Sequence, residues 1–386
     1  MAERLTHPDI AAPLLAPAQS LSAGAAGVAL LHIERARAHE GPWDRVHAWL
    51  SEATSTPLTT GPQASLFLGA PALAFALASA EGQRRYTATA RALDERLNDL
   101  TRERLSQAHA RIDRGARPSV SEFDLINGLT GLGALWWRRD PHGPLLGEIL
   151  TYLVRLSTPI RGLPGWWSAR PPSGRRARAT TGGHSNQGMA HGIGGVLSLL
   201  ALAARARVTV PGHTEALNRI CAWFDQWRQD HHAGPWWPEI LTREDLLRGQ
   251  PLQSRPGRPS WCYGTPGLAR AQQLAGLATG DTARCHMAEQ ALAGCLSDPG
   301  QLALLSDHGL CHGTAGVFQA SWRAAAETSS SALTTHMGAL ATRLSGPEPD
   351  EPGGFLRGTA GRALALGTAT AGQPPASGWD SCLLLN

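Results

Sequence analysis

Leu310-Cys311-His312-Gly313-Thr314-Ala315-Gly316-Val317-Phe318-Gln319-Ala320 is one copy of a phrase, Gly-x-x-Gly leading into an apolar run, that punctuates the whole chain. Further copies start at Gly24 (GAAGVALL), Gly128 (GLTGLGAL), Gly192 (GIGGVLSLL), Gly264 (GTPGLARA) and Gly358 (GTAGRALAL), with a weaker one at Gly69 (GAPALAFAL). Successive first glycines are 45, 59, 64, 72, 49 and 45 residues apart, each interval long enough for two helices and their loops. The runs after the glycines are rich in Ala and Leu and poor in β-branched alternation, which predicts helix rather than strand. Their near-continuous apolarity predicts burial on all sides. Stretches between them, such as Tyr86 to Arg104 and Thr214 to Trp227, mix charge with apolar residues at helical spacing and read as outer helices with one wet face.

Glycine near a helix start is less favourable than alanine by about 0.5–1 kcal/mol, so its recurrence at one register needs a geometric cause. Close packing of converging inner helices supplies one. An open solenoid would end in polar caps, whereas the first copy (GVALLHI) and the last (GRALALG) are as apolar as the others. The expected fold is therefore all-α, an α/α toroid of seven helical hairpins forming a double seven-helix barrel, in one domain over residues 1–386.

The 386 residues, 42% hydrophobic, suffice for a large core. No apolar stretch approaches the roughly 20 residues of a membrane span, and the N-terminus lacks the features of a signal peptide, so a cytoplasmic protein is expected. Six cysteines in such a chain do not make a disulfide framework. Net charge is +4, all basic side chains are arginine as in a G+C-rich bacterial genome, and nucleic-acid binding has no motif support. The one basic cluster, Arg170 to Arg178, lies among Pro, Ser and Gly and reads as a solvated loop.

Chemistry gathers where the copies align. Cys262 and Cys311 each stand two residues before a first glycine, and His312 stands one before. Their separation of 49 residues is nothing like a zinc ribbon, but equivalent loops of neighbouring hairpins would bring them together at one end of the barrel. Two thiols and an imidazole beside helix N-termini make a zinc set with a fourth position open. Such a site suits activation of a thiol nucleophile. His191, one residue before Gly192, faces the same mouth as either a fourth ligand or an acid-base group. Asp124, four before Gly128, either caps the following segment or orients that imidazole. Arg258 could stabilise an oxyanion or be a plain surface arginine, and Tyr263 could pack or donate a hydrogen bond. Cys285-His286, with no glycine phrase after it, reads as unligated, and His231-His232 as solvated. Among 13 tryptophans, the pairs Trp166-Trp167 and Trp236-Trp237 sit in Gly/Pro-rich loops where they could line a peptide groove.

Together SWCYGTPG, LCHGTAG, NQGMAHGIGG and DLINGLTGLG resemble the lanthionine synthetase C family, the lantibiotic cyclases, across all seven repeats. The resemblance implies one zinc per chain held by Cys262, Cys311 and His312, with His191 and Asp124 as the acid-base pair and Arg258 and Tyr263 beside them. It implies addition of a peptide cysteine thiolate to dehydroalanine or dehydrobutyrine in a ribosomally made precursor, closing lanthionine or methyllanthionine rings. The implied partners are that dehydrated peptide, a separate dehydratase and an export transporter, with membrane association only through such a complex. Two departures stand out: the second repeat reads GAPA, and no inserted domain for peptide engagement is evident. No dehydratase or kinase region precedes the repeats, so a free-standing cyclase is expected. Rival readings are a zinc-dependent thiol or glutathione binder, a peptide scaffold with structural zinc, and a toroid glycosidase, the last lacking a carboxylate pair at the repeat mouths.

Overall fold

Seven apolar helices begin at the seven glycine phrases, and each phrase's first glycine is the residue that precedes its helix. The computed structural model describes residues 2–10, 14, 16–169, 182–328, 331–347 and 351–386, so the basic stretch 170–178 lies outside the described residues. The inner helices are α1 (Ala25–Arg37), α3 (Ala70–Ser79), α5 (Leu129–Arg139), α7 (Ile193–Arg205), α9 (Thr265–Thr279), α11 (Thr314–Ala326) and α13 (Thr359–Ala371). The outer ones are α2 (Trp43–Ala53), α4 (Thr87–Asp113), α6 (Pro144–Ser157), α8 (His213–Trp227), α10 (Thr282–Ser297) and α12 (Ser331–Leu344). Each inner helix packs on the next and α13 packs back on α1, which closes an α/α toroid. One apolar core runs through all of them, and no described helix is long and apolar enough to cross a membrane.

The second glycine of the phrase is what lets the ring close. A Cβ on Gly27, Gly131, Gly195, Gly267, Gly316 or Gly361 would fall 1.9–2.5 Å from the carbonyl oxygen six residues earlier in its own loop. The same Cβ would press on the preceding repeat. On Gly267 it would lie 2.9 Å from Met189 Cγ, on Gly316 3.3 Å from Trp261 Cβ, and on Gly27, across the seam, 2.8 Å from Phe355 Cβ. Repeat two tolerates Ala72 because its loop enters differently: Gly69 takes the left-handed φ of +78°.

The seventh hairpin departs from the pattern, having no second helix among the described residues. After the left-handed Gly372 that ends α13, Pro374 and Pro375 stop any continuation. The chain then enters the ring as a short 3-10 turn at Trp379–Leu383. Its apolar residues are fully buried there, with Trp379 edge-on to Phe355 at 5.7 Å. Polar atoms of three inner helices satisfy it: Arg323 of α11 donates to both Asp380 oxygens (2.7 and 2.8 Å), Arg270 of α9 to the Leu385 carbonyl (2.9 Å) and Arg138 of α5 to the Ser377 carbonyl (3.0 Å). Helices α5 and α11 stand on opposite sides of the ring, so the C-terminal segment fills its axis.

One small sheet interrupts the helical plan. Strand β1 (His184–Asn186) pairs antiparallel with β2 (Ile240–Thr242), Ser185 opposite Leu241. This sheet and its flanking loops bury the two tryptophan pairs. Trp166, Trp167, Trp236 and Trp237 are at most 3% exposed. Indole N–H groups of Trp166, Trp167 and Trp237 donate to Ser185 Oγ (2.7 Å), the Gly182 carbonyl (3.1 Å) and the Phe224 carbonyl (3.1 Å). The expectation that these pairs line a peptide groove is thereby corrected. They are core residues of the loops.

Candidate active site

The loops that enter the inner helices are stitched to one another through the residue two positions before each first glycine. Backbone N–H groups donate from Ile126 to Ala190 (3.3 Å), Ala190 to Cys262 (3.3 Å), Cys262 to Cys311 (3.1 Å), Cys311 to Leu356 (2.8 Å) and Leu356 to Ser22 (2.7 Å). Leu21 to Phe67 (3.0 Å) continues the circle. Cys262 and Cys311 occupy adjacent links of this belt, so the main chain itself holds the two thiols side by side.

His312 completes the group: the two sulfurs and an imidazole nitrogen all lie within 4.8 Å of one another. All cysteines are free. A hydrogen bond from Cys311 holds the Cys262 thiol well below its ordinary range against the opposing effect of burial, aided by His312 and Ser260. Beside that thiolate the Cys311 thiol is pushed well up, so the pair shares a proton and titrates as a unit. A soft, partly ionised donor set of two sulfurs and one nitrogen at one mouth of a barrel is what zinc prefers. His312 Nε2 lies 3.5 Å from Asp307 Oδ2, a carboxylate placed to orient a ligating ring.

Beside this group stands a second one. His191 Nδ1 is 2.6 Å from Asp124 Oδ2. Asp124 is 1% exposed, and its other oxygen accepts from the N–H groups of Asn127 (2.6 Å) and Gly128 (2.8 Å). The two readings of this residue are thus both realised, one by each oxygen: Oδ1 caps the loop and Oδ2 orients the imidazole. Burial opposes a charged His191, but the hydrogen bond and charge of Asp124, with Cys262 nearby, raise it above 6.5. The Tyr263 ring lies 6.4 Å from the His191 ring, and its hydroxyl accepts from Asn186 Nδ2 at 3.0 Å. Arg258, half-buried in the same loop, has its carbonyl close on Gly264 and makes no side-chain hydrogen bond among the described residues.

Several participants were invisible to motif reading, though counting back from the glycines would have found them. Asn186 and Asp307 stand six residues before a first glycine, the register of Arg258. Ser260 stands four before Gly264, the register of Asp124; its hydroxyl accepts from Gly264 N (2.9 Å) and receives the Cys262 thiol at 3.7 Å. Arg357 stands one before Gly358, the register of His191, Tyr263 and His312.

Outside the site, Cys285 donates to the Gln273 carbonyl (3.7 Å) and burial pushes its thiol up. Burial likewise pushes Cys221 to about 11 and Cys295 to about 12, as expected of small buried hydrophobes. The His231-His232 pair is less isolated than a solvated reading implies, since both rings come within 4.8 Å of Asp298. The Asp298 oxygens already accept from Gly300 N (2.8 Å) and Gln301 Nε2 (3.0 Å), capping the short helix Pro299–Leu302, which accounts for the carboxylate without a ligand.

Comparison with known proteins agrees with this architecture. The family model described as "Lanthionine synthetase C-like protein" matches residues 18–384. "Nisin biosynthesis protein NisC" of Lactococcus lactis subsp. lactis is 24% identical over 203 residues, 51% of this chain and 48% of that relative, so the matched stretch spans about half its length. A solved structure described as "Nisin cyclase" superposes with a TM-score of 0.79 at 21% identity, covering 96% of this chain and 92% of the other, and so shares its fold.

Proposed function

Because the chain belongs to the lanthionine synthetase C-like family, we propose that it is a zinc-dependent peptide cyclase. Its substrate is a dehydrated, ribosomally made precursor peptide, in which it forms lanthionine or methyllanthionine thioethers. The observation that carries this reading is the meeting of Cys262, Cys311 and His312 beside a histidine that is hydrogen-bonded to a buried carboxylate. Cys262, Cys311 and His312 would hold a zinc ion, which when bound would supply the Lewis acidity to ionise a peptide thiol near neutral pH.

The chain's own groups do the rest. Cys262 and Cys311 as thiolates would offset most of the charge of a bound dication, which would leave a substrate thiolate beside them electron-rich. As sulfur bonds to the β-carbon, the π electrons of the dehydro residue move toward its carbonyl oxygen. The α-carbon then takes the proton from Nε2 of His191, whose Nδ1–H is anchored on Asp124. Against the opposing effect of burial, the hydrogen bond and charge of Asp124 raise His191 and so favour its protonated, proton-donating form. Tyr263 flanks the imidazole, and Arg258 adds a positive charge from the same loop.

Ring closure leaves mass unchanged, so the test counts thiols that can be alkylated. Purified protein carrying about one zinc should protect the thiols of a dehydrated precursor from alkylation. Fully reactive thiols after incubation would sink the reading. Cys262→Ala should lose zinc and activity together, whereas Cys285→Ala should keep both; zinc and activity retained in Cys262→Ala would refute the ligand assignment.

A further inference from the structure

We propose that Arg357 binds the oxyanion that develops as the thioether forms, an inference that rests on the cyclase reading above. Arg357 sits one residue before Gly358, the register that in the neighbouring repeats carries His312, Tyr263 and His191. The belt of loop hydrogen bonds fixes its place: the adjoining Leu356 accepts from Cys311 N at 2.8 Å and donates to the Ser22 carbonyl at 2.7 Å. Arg357 is therefore held beside the Cys311–His312 loop, and its guanidinium Nη2 comes to 3.4 Å from His312 Nε2.

Structural arginines near this mouth look different. Arg104 spends its guanidinium on three carbonyls, those of Asn127, Pro62 and Ala64, at 2.6–2.7 Å. Arg111 is paired with Glu122 at 2.6 Å. Arg357 is exposed, and among the described residues it has the one long contact to His312 and no carboxylate partner. The carboxylate nearest to hand, Asp307, faces His312 instead. Most of the five N–H donors of Arg357 thus have no protein acceptor among the described residues.

The reaction needs such a group at a defined reach. The thiol gives up its proton, one S–Cβ bond forms, the C=C π pair moves onto the carbonyl oxygen, and the α-carbon is then protonated from His191 as the C=O re-forms; the proton the thiol lost replaces the one His191 gives, so no atom leaves. Negative charge therefore passes from sulfur to an oxygen four bonds away along S–Cβ–Cα–C–O. The thiol cluster fixes the sulfur end, and a guanidinium fork beside His312 stands ready for the oxygen end, where hydrogen bonds to developing charge act most strongly.

3-Mercaptopropionate reproduces that S–C–C–C–O spacing with a carboxylate in place of the oxyanion, and 3-mercapto-1-propanol is its neutral counterpart. The full chain, loaded with cobalt(II), is titrated with each, and binding is read from the thiolate-to-cobalt absorption band. The wild type should favour the acid by about tenfold. Arg357→Gln should lose that preference while binding the alcohol as before, and Arg357→Lys should recover part of it. An unchanged preference in Arg357→Gln overturns the proposal. So does loss of cobalt or of alcohol binding in that variant, which would make Arg357 a support for His312, and so does the absence of any thiol-dependent band. A synthetic peptide with one dehydroalanine and one cysteine separates this from the parent reading. If the preference behaves as expected but the peptide thiol stays reactive, Arg357 keeps its role as an anion binder and the cyclase reading falls. If the peptide cyclises equally fast with Arg357→Gln, the reverse holds.

Discussion

Replacing Asp124 should separate its structural duty from its chemical one. Oδ1 receives the N–H groups of Asn127 and Gly128, while Oδ2 receives His191 Nδ1 at 2.6 Å and Asn127 Nδ2 at 3.2 Å. Asp124→Ala removes a cap, which is worth about 1–2 kcal/mol. The Gly128 N–H keeps the backbone carbonyl of residue 124 at 3.1 Å and Asn127 is exposed to water, so the loss should stay within that range. Asp124→Asn keeps an oxygen for the two loop N–H groups and should lose only about 1 kcal/mol. Its amide nitrogen, however, would face His191, turning Nδ1 from donor to acceptor and removing the charge that favours the imidazolium. The His191 pKa must then fall. Because the folded-state value is raised above 6.5, His191 adds stability that is fully present below pH 6.5 and is lost as pH rises through the folded value. Urea unfolding of wild type and Asp124→Asn should therefore diverge most on the acid side and converge at alkaline pH. The alkaline limb of the activity profile, where the proton donor is lost, should move to lower pH in Asp124→Asn. Titration of the His191 ring by NMR reads the shift directly. An unmoved His191 midpoint in Asp124→Asn, or wild-type stability in Asp124→Ala, would refute the shared-carboxylate argument.

Gly267→Ala should destabilise by roughly 2–4 kcal/mol and lower metal content, since its Cβ would fall 2.0 Å from the Trp261 carbonyl next to Cys262. At the equivalent place in repeat two, Ala72→Gly should lose no more than about 1 kcal/mol; chemical denaturation and zinc analysis check both. Asp380→Ala strands Arg323 and Gln319, both bonded to Asp380 Oδ2 at 2.7 Å inside the ring, and should lower stability by about 3–5 kcal/mol; a smaller loss than Arg205→Ala at the surface would count against the axial plug. Burial depresses His32 and His184 to about 4, so the unfolded chain binds more protons between pH 4 and 6.5 and stability should fall as pH drops through that window, by up to about 3 kcal/mol per histidine; His184→Gln should flatten the slope.

Register was legible in the sequence to the extent that it is written in backbone geometry. Each phrase's second glycine is demanded by a carbonyl 1.9–2.5 Å from where a Cβ would be, so the periodicity, the inner helices and the adjacency of Cys262 and Cys311 could all be read from spacing. The predicted outer segments matched for the same reason: α4 and α8 carry the charged and apolar mixture of a half-wet helix. What escaped depends on long-range packing. Tryptophans flanked by Gly and Pro look mobile in one dimension, yet β1 and β2 fold over them. The segment after Pro375 looks like an ordinary apolar tail, and nothing local says that it enters the ring rather than lying outside it. Asp307 and Arg357 were passed over because lone polar residues in loops carry no signal until the register is extended to every repeat.

The same register explains why a site of such geometric demand can be assembled from residues spread over some two hundred positions. In a hairpin bundle each loop would have to be placed by its own contacts. Here the loops hydrogen-bond to their neighbours around the ring, and each second glycine is pressed against a side chain of the repeat before it, so an error in one loop is resisted by two others. The C-terminal segment braces this belt from within, since the Trp261 indole donates to the Leu383 carbonyl at 3.0 Å directly beneath Cys262. Symmetry then does the positioning, and function requires only that particular loops break it: two with thiols, three with imidazole or phenol, two with a guanidinium. Two consequences follow. Substitutions at the second glycine of repeats five and six should damage metal binding, while loss of a site side chain such as His191 should leave the toroid intact. A site variant that unfolded the ring, or a glycine variant that kept full metal affinity, would break the link between belt and site.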